Sequence, residues 1–186
     1  MNKIAILFPG VGYHKDKPLL YYSAKLAKAA GYEVYDLRFA GVTWEKGSLN
    51  DPEKMMDLFR QVYHVAEEQL TEFHFAEDAE YLFVSKSIGT AVAACYAGEH
   101  GIAARHIFFS PVEQFPGSKG GIAFAGDQDP IADYDKVEKV CRKSQTELHR
   151  IPGGNHSLET GNVKADLEML QRIMMRVEDY ITGNER

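Results

Sequence analysis

The stretch Tyr81-Leu82-Phe83-Val84-Ser85-Lys86-Ser87-Ile88-Gly89-Thr90 decides how the rest of the chain is read. Four apolar or aromatic residues without a polar break predict a strand over 81–84 that is buried on both faces. A helix over 88–99 follows with no room for a loop between them. A strand that enters a helix through Ser-Lys-Ser-Ile-Gly makes a sharp turn. The residues two before and two after the middle serine then crowd neighbouring backbone, so both must be small, and Ser85 and Gly89 are. Such a turn lifts Ser87 above the strand end and aims a helix N-terminus at its oxygen, where the backbone dipole favours negative charge. A plainer reading stays open on this stretch alone: Ser85 and Ser87 end a strand and cap a helix.

Outward from it, short apolar runs alternate with helical periods. Strands are predicted over 4–8, 33–39, 106–110, 121–125 and 146–151 in addition to 81–84. Pro18 suits the first turn of a helix ending near Ala30, with Gly31 placed for a left-handed cap. Asp51-Pro52 predicts the start of a long helix to about Phe73, with Met55, Leu58, Phe59, Val62, Val65, Ala66 and Leu70 as its apolar stripe. A shorter helix is expected over 134–142, and a last one from a cap near Thr160. In that last helix Val163, Leu167, Leu170, Met174, Val177 and Ile181 recur at three- and four-residue steps, so this face is expected to pack on the sheet. The longest unassigned stretches are 40–50 and 111–119, and no repeat or linker divides the chain. The expected fold class is α/β: one domain over 1–186, with a doubly wound, mostly parallel sheet of about six strands and helices on both faces.

Composition excludes several functions. The chain has 186 residues, 45% of them apolar, and 21 Lys plus Arg against 27 Asp plus Glu, a net charge of -6. That surplus of acid argues against a nucleic-acid or anionic-membrane partner. The first apolar run stops at Pro9-Gly10, too short for a signal core or a membrane span. Cys95 and Cys141 fall inside periodic segments and read as reduced, buried thiols of a cytoplasmic protein. No His-Glu-x-x-His or Cys-x-x-Cys run suggests a metal. Gly10-Val11-Gly12 lacks the third glycine of a dinucleotide fingerprint, so no cofactor is expected.

Three more segments join Ser87. Ser85-Lys86-Ser87-Ile88-Gly89 resembles the Gly-x-Ser-x-Gly nucleophile elbow of the α/β-hydrolase superfamily, with Ser85 in place of the first glycine. Gly126-Asp127-Gln128-Asp129-Pro130 is similar to that family's Gly-x-x-Asp-Pro loop, and Ile151-Pro152-Gly153-Gly154-Asn155-His156-Ser157 to its histidine loop. Phe8-Pro9-Gly10-Val11-Gly12-Tyr13 resembles the His-Gly-x-Gly turn, with Pro9 where a histidine is common. The order Ser87, Asp129, His156 is the one this fold uses, each residue following a strand. In open α/β sheets those strand ends line one crevice.

The resemblance spans essentially the whole chain. It implies Ser87 as nucleophile, His156 as base, Asp129 as the acid that orients it, and the backbone N–H groups of Val11 and Ile88 as an oxyanion hole. Asp127 and Glu113 remain alternatives for the acid. The interval 111–119 cannot form a helical cap, and two N-terminal antiparallel strands common in the family are missing. A small, lidless serine hydrolase is therefore implied, cleaving a small carboxylic ester or thioester through an acyl-enzyme on Ser87, with a small-molecule acyl substrate as its partner. An amidase or C–C hydrolase with the same residues, or a non-catalytic ligand-binding or scaffold member, are the alternatives. Tyr13, Trp44 and Phe115 are expected at the crevice rim, Asp133 and Asp135 in a helix's first turn, and Lys86 as an exposed lysine. His14, His64, His74, His100 and His149 read as structural or surface residues.

Overall fold

Residues 2–45 and 51–184 are described by a computed structural model; residues 46–50 of the expected 40–50 loop lie outside it. Six strands, β1 (Lys3–Phe8), β2 (Glu33–Asp36), β3 (Glu80–Lys86), β4 (Ala104–Phe109), β5 (Ile122–Gly126) and β6 (Glu147–Ile151), form one sheet in the order β2-β1-β3-β4-β5-β6. Every pairing is parallel, so the mostly parallel expectation becomes an all-parallel one. Five helices connect or follow the strands: α1 (Pro18–Ala29), α2 (Pro52–Leu70), α3 (Ile88–Glu99), α4 (Tyr134–Ser144) and α5 (Val163–Thr182).

Side chains that alternate along β3 feed two cores. Tyr81 and Phe83 face α2, α3 and α4, while Leu82 and Val84 face α1 and α5. This two-sided burial is why the strand shows no polar break. Only the connection from β4 to β5, residues 110–121, has no helix; Val112 and Phe115 from it fill the core on the α2–α4 face.

Three expectations need correction. β2 ends at Asp36 rather than Phe39, because the amide side chain of Gln69 on α2 accepts from Arg38 N and donates to Arg38 O, taking that backbone from the sheet. The cap of α5 is Asn162, whose side chain accepts from the N–H groups of Lys164 and Ala165. Thr160 instead donates its N–H and hydroxyl to Asp166. The stripe of α5 is only partly buried: Val163 and Leu167 are 73% and 62% exposed, since contact with the core begins at Met169.

Candidate active site

All the segments singled out from the sequence lie at the carboxyl ends of parallel strands. The turn 9–13 follows β1, Ser87 follows β3, residues 127–133 follow β5 and residues 152–162 follow β6.

The tightest constraint is at the elbow. Ser87 has φ 55° and ψ -129°, a conformation disfavoured for any residue with a Cβ. It is held by neighbours: its N–H donates to Phe109 O, and its carbonyl accepts from the Thr90 N–H and hydroxyl. Gly89 is required for a separate reason. A Cβ there would stand 2.4 Å from the carbonyl oxygens of both Phe8 and Pro9, so any side chain would push α3 off β1. The serine at position 85 fits because it is fully buried and its hydroxyl donates to Ile107 O at 3.1 Å.

A relay of two hydrogen bonds starts from Ser87. Its Oγ lies 2.7 Å from His156 Nε2, and His156 Nδ1 lies 2.7 Å from Asp129 Oδ2. With the proton on Nδ1, the ring donates to the carboxylate and presents a free lone pair to the serine hydroxyl. The other oxygen of Asp129 accepts from the N–H groups of Ile131 and Ala132. Burial alone would raise the pKa of Asp129, but the hydrogen bond and charge of His156, with those two N–H groups, hold it below the ordinary carboxylate value. Burial, and then the charge of Lys86, push His156 below the ordinary imidazole value against the pull of Asp129. Together these favour a neutral ring beside an ionised acid.

The rival carboxylates are engaged elsewhere. Asp127 accepts from Gly153 N and from Arg150 Nε, tying the loop after β5 to β6 and the turn that follows it. Glu113 accepts from Asp133 N and from Lys136 Nζ at the start of α4. The two loops interlock closely: a Cβ on Gly126 would stand 2.0 Å from Gly154 O. Within the histidine loop Asn155 Oδ1 accepts from the N–H groups of Ser157 and Glu159, which shapes the turn presenting the ring.

The turn after β1 packs against the serine, since a Cβ on Gly10 would come within 3.0 Å of Ser87 Cβ. Val11 N–H donates to no acceptor among the described residues, and Ile88 N–H belongs to the first turn of α3, where no intrahelical acceptor exists. A groove of about 640 Å³ opens beside this turn, lined by Val11, His14, Lys15, Arg38 and Trp44 among others. Trp44, expected at the crevice rim, is half-exposed and lines this groove. Tyr13 supports the turn from within, its hydroxyl accepting from Leu19 N. Phe115 does not reach the rim: it is 1% exposed and packs edge-on against Phe108. Asp133 caps α4 and Asp135 follows in its first turn.

Lys86 departs furthest from expectation. It is 1% exposed, and its Nζ donates to the backbone carbonyl of His156 at 2.7 Å. Read locally, a lysine next to a turn belongs in solvent. The signal against this was the buried strand itself, which continues through position 86. Among the described residues no cluster of ligating side chains can hold a metal ion.

Known structures share this arrangement of elements. Est1E from Butyrivibrio proteoclasticus superposes with a TM-score of 0.69 at 12% identity, over 98% of this chain and 88% of that one. This is an α/β-hydrolase fold. An α/β serine hydrolase without a lid from Xanthomonas campestris gives a TM-score of 0.59 at 16% identity, covering 96% of this chain and 80% of the other. An α/β serine hydrolase homologue from Coxiella burnetii gives 0.57 at 16% identity, covering 100% and 85%. No protein-family model and no curated protein matches the sequence. At these identities the likeness to the α/β-hydrolase fold is one of architecture, and the chemistry must be argued from the side chains.

Proposed function

We propose that the chain is a serine hydrolase that cleaves a small carboxylic ester or thioester through an acyl-enzyme on Ser87. The observation that carries this is the pair of 2.7 Å contacts joining Ser87, His156 and Asp129 across three loops. A binding protein has no use for a strained serine whose hydroxyl points at a neutral imidazole.

In this reading His156 Nε2 takes the proton of Ser87 as its oxygen attacks the carbonyl carbon. The new oxyanion is met by the N–H groups of Val11 and Ile88, each worth about 3 kcal/mol in the transition state. His156, now an imidazolium held by Asp129, gives the proton to the departing alcohol or thiol. Water repeats the sequence and releases the acid. The acyl or leaving group would lie in the groove beside the β1 turn.

We read the chain as one lidless domain acting in the cytoplasm, without a cofactor. The two cysteines, Cys95 and Cys141, are unpaired, which suits a reducing compartment, and among the described residues no helix is long and apolar enough to cross a membrane.

The test is intact-mass analysis after exposure to a fluorophosphonate, comparing the native chain with Ser87→Ala. One adduct on the native chain and none on the variant is expected. A native chain that stays unmodified would overturn the proposal and favour a ligand-binding role. A panel of short-chain esters, thioesters and amides then assigns the bond cleaved. Est1E also has a structure with ferulic acid bound, so an aromatic acyl ester belongs in that panel.

A further inference from the structure

The mechanism above leaves Lys86 without a task. It directly precedes Ser87, at the end of β3, and is almost completely buried. A buried ammonium is retained only where its donors find partners. Its Nζ donates to His156 O at 2.7 Å and lies 5.1 Å from the centroid of the Tyr13 ring. Two consecutive residues therefore grip one histidine from both ends. Ser87 meets the imidazole, and Lys86 meets the backbone carbonyl.

We propose that Lys86 is a positioning residue: its Nζ, bonded to the backbone carbonyl of His156, ties that residue down and sets a cation beside the base that faces Ser87. The role in catalysis rests on the hydrolase reading above; the effect on the His156 ring does not.

Among the described residues, the groups that face this pair come from each loop packed around it. Tyr13, from the turn after β1, has its phenol pushed up to about 12, chiefly by burial, and is neutral. Asp129, from the loop after β5, attracts both cations and opposes Lys86 at the ring. Glu159, from the loop after β6, acts on Tyr13. Burial pushes the Lys86 ammonium down to about 7, against the pull of Asp129. The lysine is therefore charged in the range below neutrality where an imidazole would take up its proton. A neutral donor at this position would supply the tether without the repulsion.

The experiment follows the His156 imidazole by nitrogen NMR through a pH titration in a Ser87→Ala background, which requires no turnover. Lys86→Met should raise the pKa of that ring, and Lys86→Arg should restore it. In the chain with Ser87 intact, the acid limb of kcat/KM for a p-nitrophenyl ester should move to higher pH in Lys86→Met. The value at pH 6 should then fall severalfold further than the value at pH 8. A purely structural loss would instead lower both equally. An unmoved His156 titration in Lys86→Met overturns the proposal. Should that variant fail to fold, the Lys86 Cε resonance of the Ser87→Ala chain decides: an amine that stays neutral through pH 5–6 also overturns it. A shifted ring in a chain that takes no fluorophosphonate adduct and cleaves no ester, thioester or amide would sink the hydrolase reading alone.

Discussion

Asp127 and Asp129 stand one residue apart and serve different partners. Asp129 gives one oxygen to the His156 ring and the other to the backbone of Ile131 and Ala132. Asp127 gives both of its oxygens to Arg150 and Gly153. Asp129→Asn should therefore lower kcat by about 10³–10⁴-fold, because an amide favours the wrong tautomer of the ring. Asp127→Asn should keep turnover within about 10-fold of the native chain while lowering the melting temperature. Steady-state kinetics and a thermal melt on the two variants separate these outcomes. Equal losses of turnover would show that the contact of Asp129 with His156 is not what separates the two carboxylates.

Two glycines of α3 should answer oppositely to alanine. Gly89→Ala drives a methyl into two carbonyl oxygens at 2.4 Å. A cost of about 3 kcal/mol or more is expected, read as a lower urea midpoint or as loss of soluble protein. Gly98 is exposed, and a Cβ there would meet nothing within 4 Å. Gly98→Ala should stabilise the chain by about 0.5–1 kcal/mol through helix propensity alone.

The strain at Ser87 can be measured by comparing Ser87→Gly with Ser87→Ala. Both lose the hydroxyl and its contact with His156, but only glycine is at ease with φ 55° and ψ -129°. The glycine variant should be more stable by about 1 kcal/mol or more. Equal urea midpoints would show that the surrounding hydrogen bonds impose no such strain.

His106 sets an expectation for pH. It lies 2% exposed between Phe83 and Phe108, its Nδ1 has no partner among the described residues, and burial pushes its pKa down to about 4. A histidine lowered on folding contributes stability that is whole above the ordinary value near 6.5. That contribution is lost as pH falls toward the folded value of about 4. The loss is of order 3 kcal/mol. Carboxylates lowered on folding, such as Asp127 and Asp129, give up their share only at more acid pH. His106→Phe should flatten the fall in urea midpoint between pH 6.5 and 4; an unchanged slope would remove His106 as its cause.

What the sequence displayed and what it hid divide along the range of the forces involved. The helix expected over 88–99 is found as Ile88–Glu99, because its start at the elbow and its apolar composition are written into adjacent residues. Asp51-Pro52 marked α2 equally well: the Asp51 side chain accepts from the N–H groups of Glu53 and Lys54. The early end of β2 was hidden, since it depends on Gln69, more than thirty residues further along. Lys86 was hidden for the same reason, its acceptor lying on His156 in a different loop. Of the site, the positions after the strands were legible. The Asp-Pro pattern already favoured Asp129 as the partner of His156, whereas the binding of Asp127 to Arg150 and Gly153 was hidden, because it depends on how the loop after β5 lies against residues 150–153.

Because all six strands run the same way, one rim of the sheet carries Ser87, Asp129 and His156 and the other, the silent rim, carries none of them. The connections over 76–79 and 101–103 lead into β3 and β4 from the silent side, roughly 20 Å of strand away from Ser87. A tether, a reporter domain or a solid support attached at those loops would leave the approach to the serine unobstructed. Orientation on a surface can thus be chosen by engineering, without retuning the chemistry.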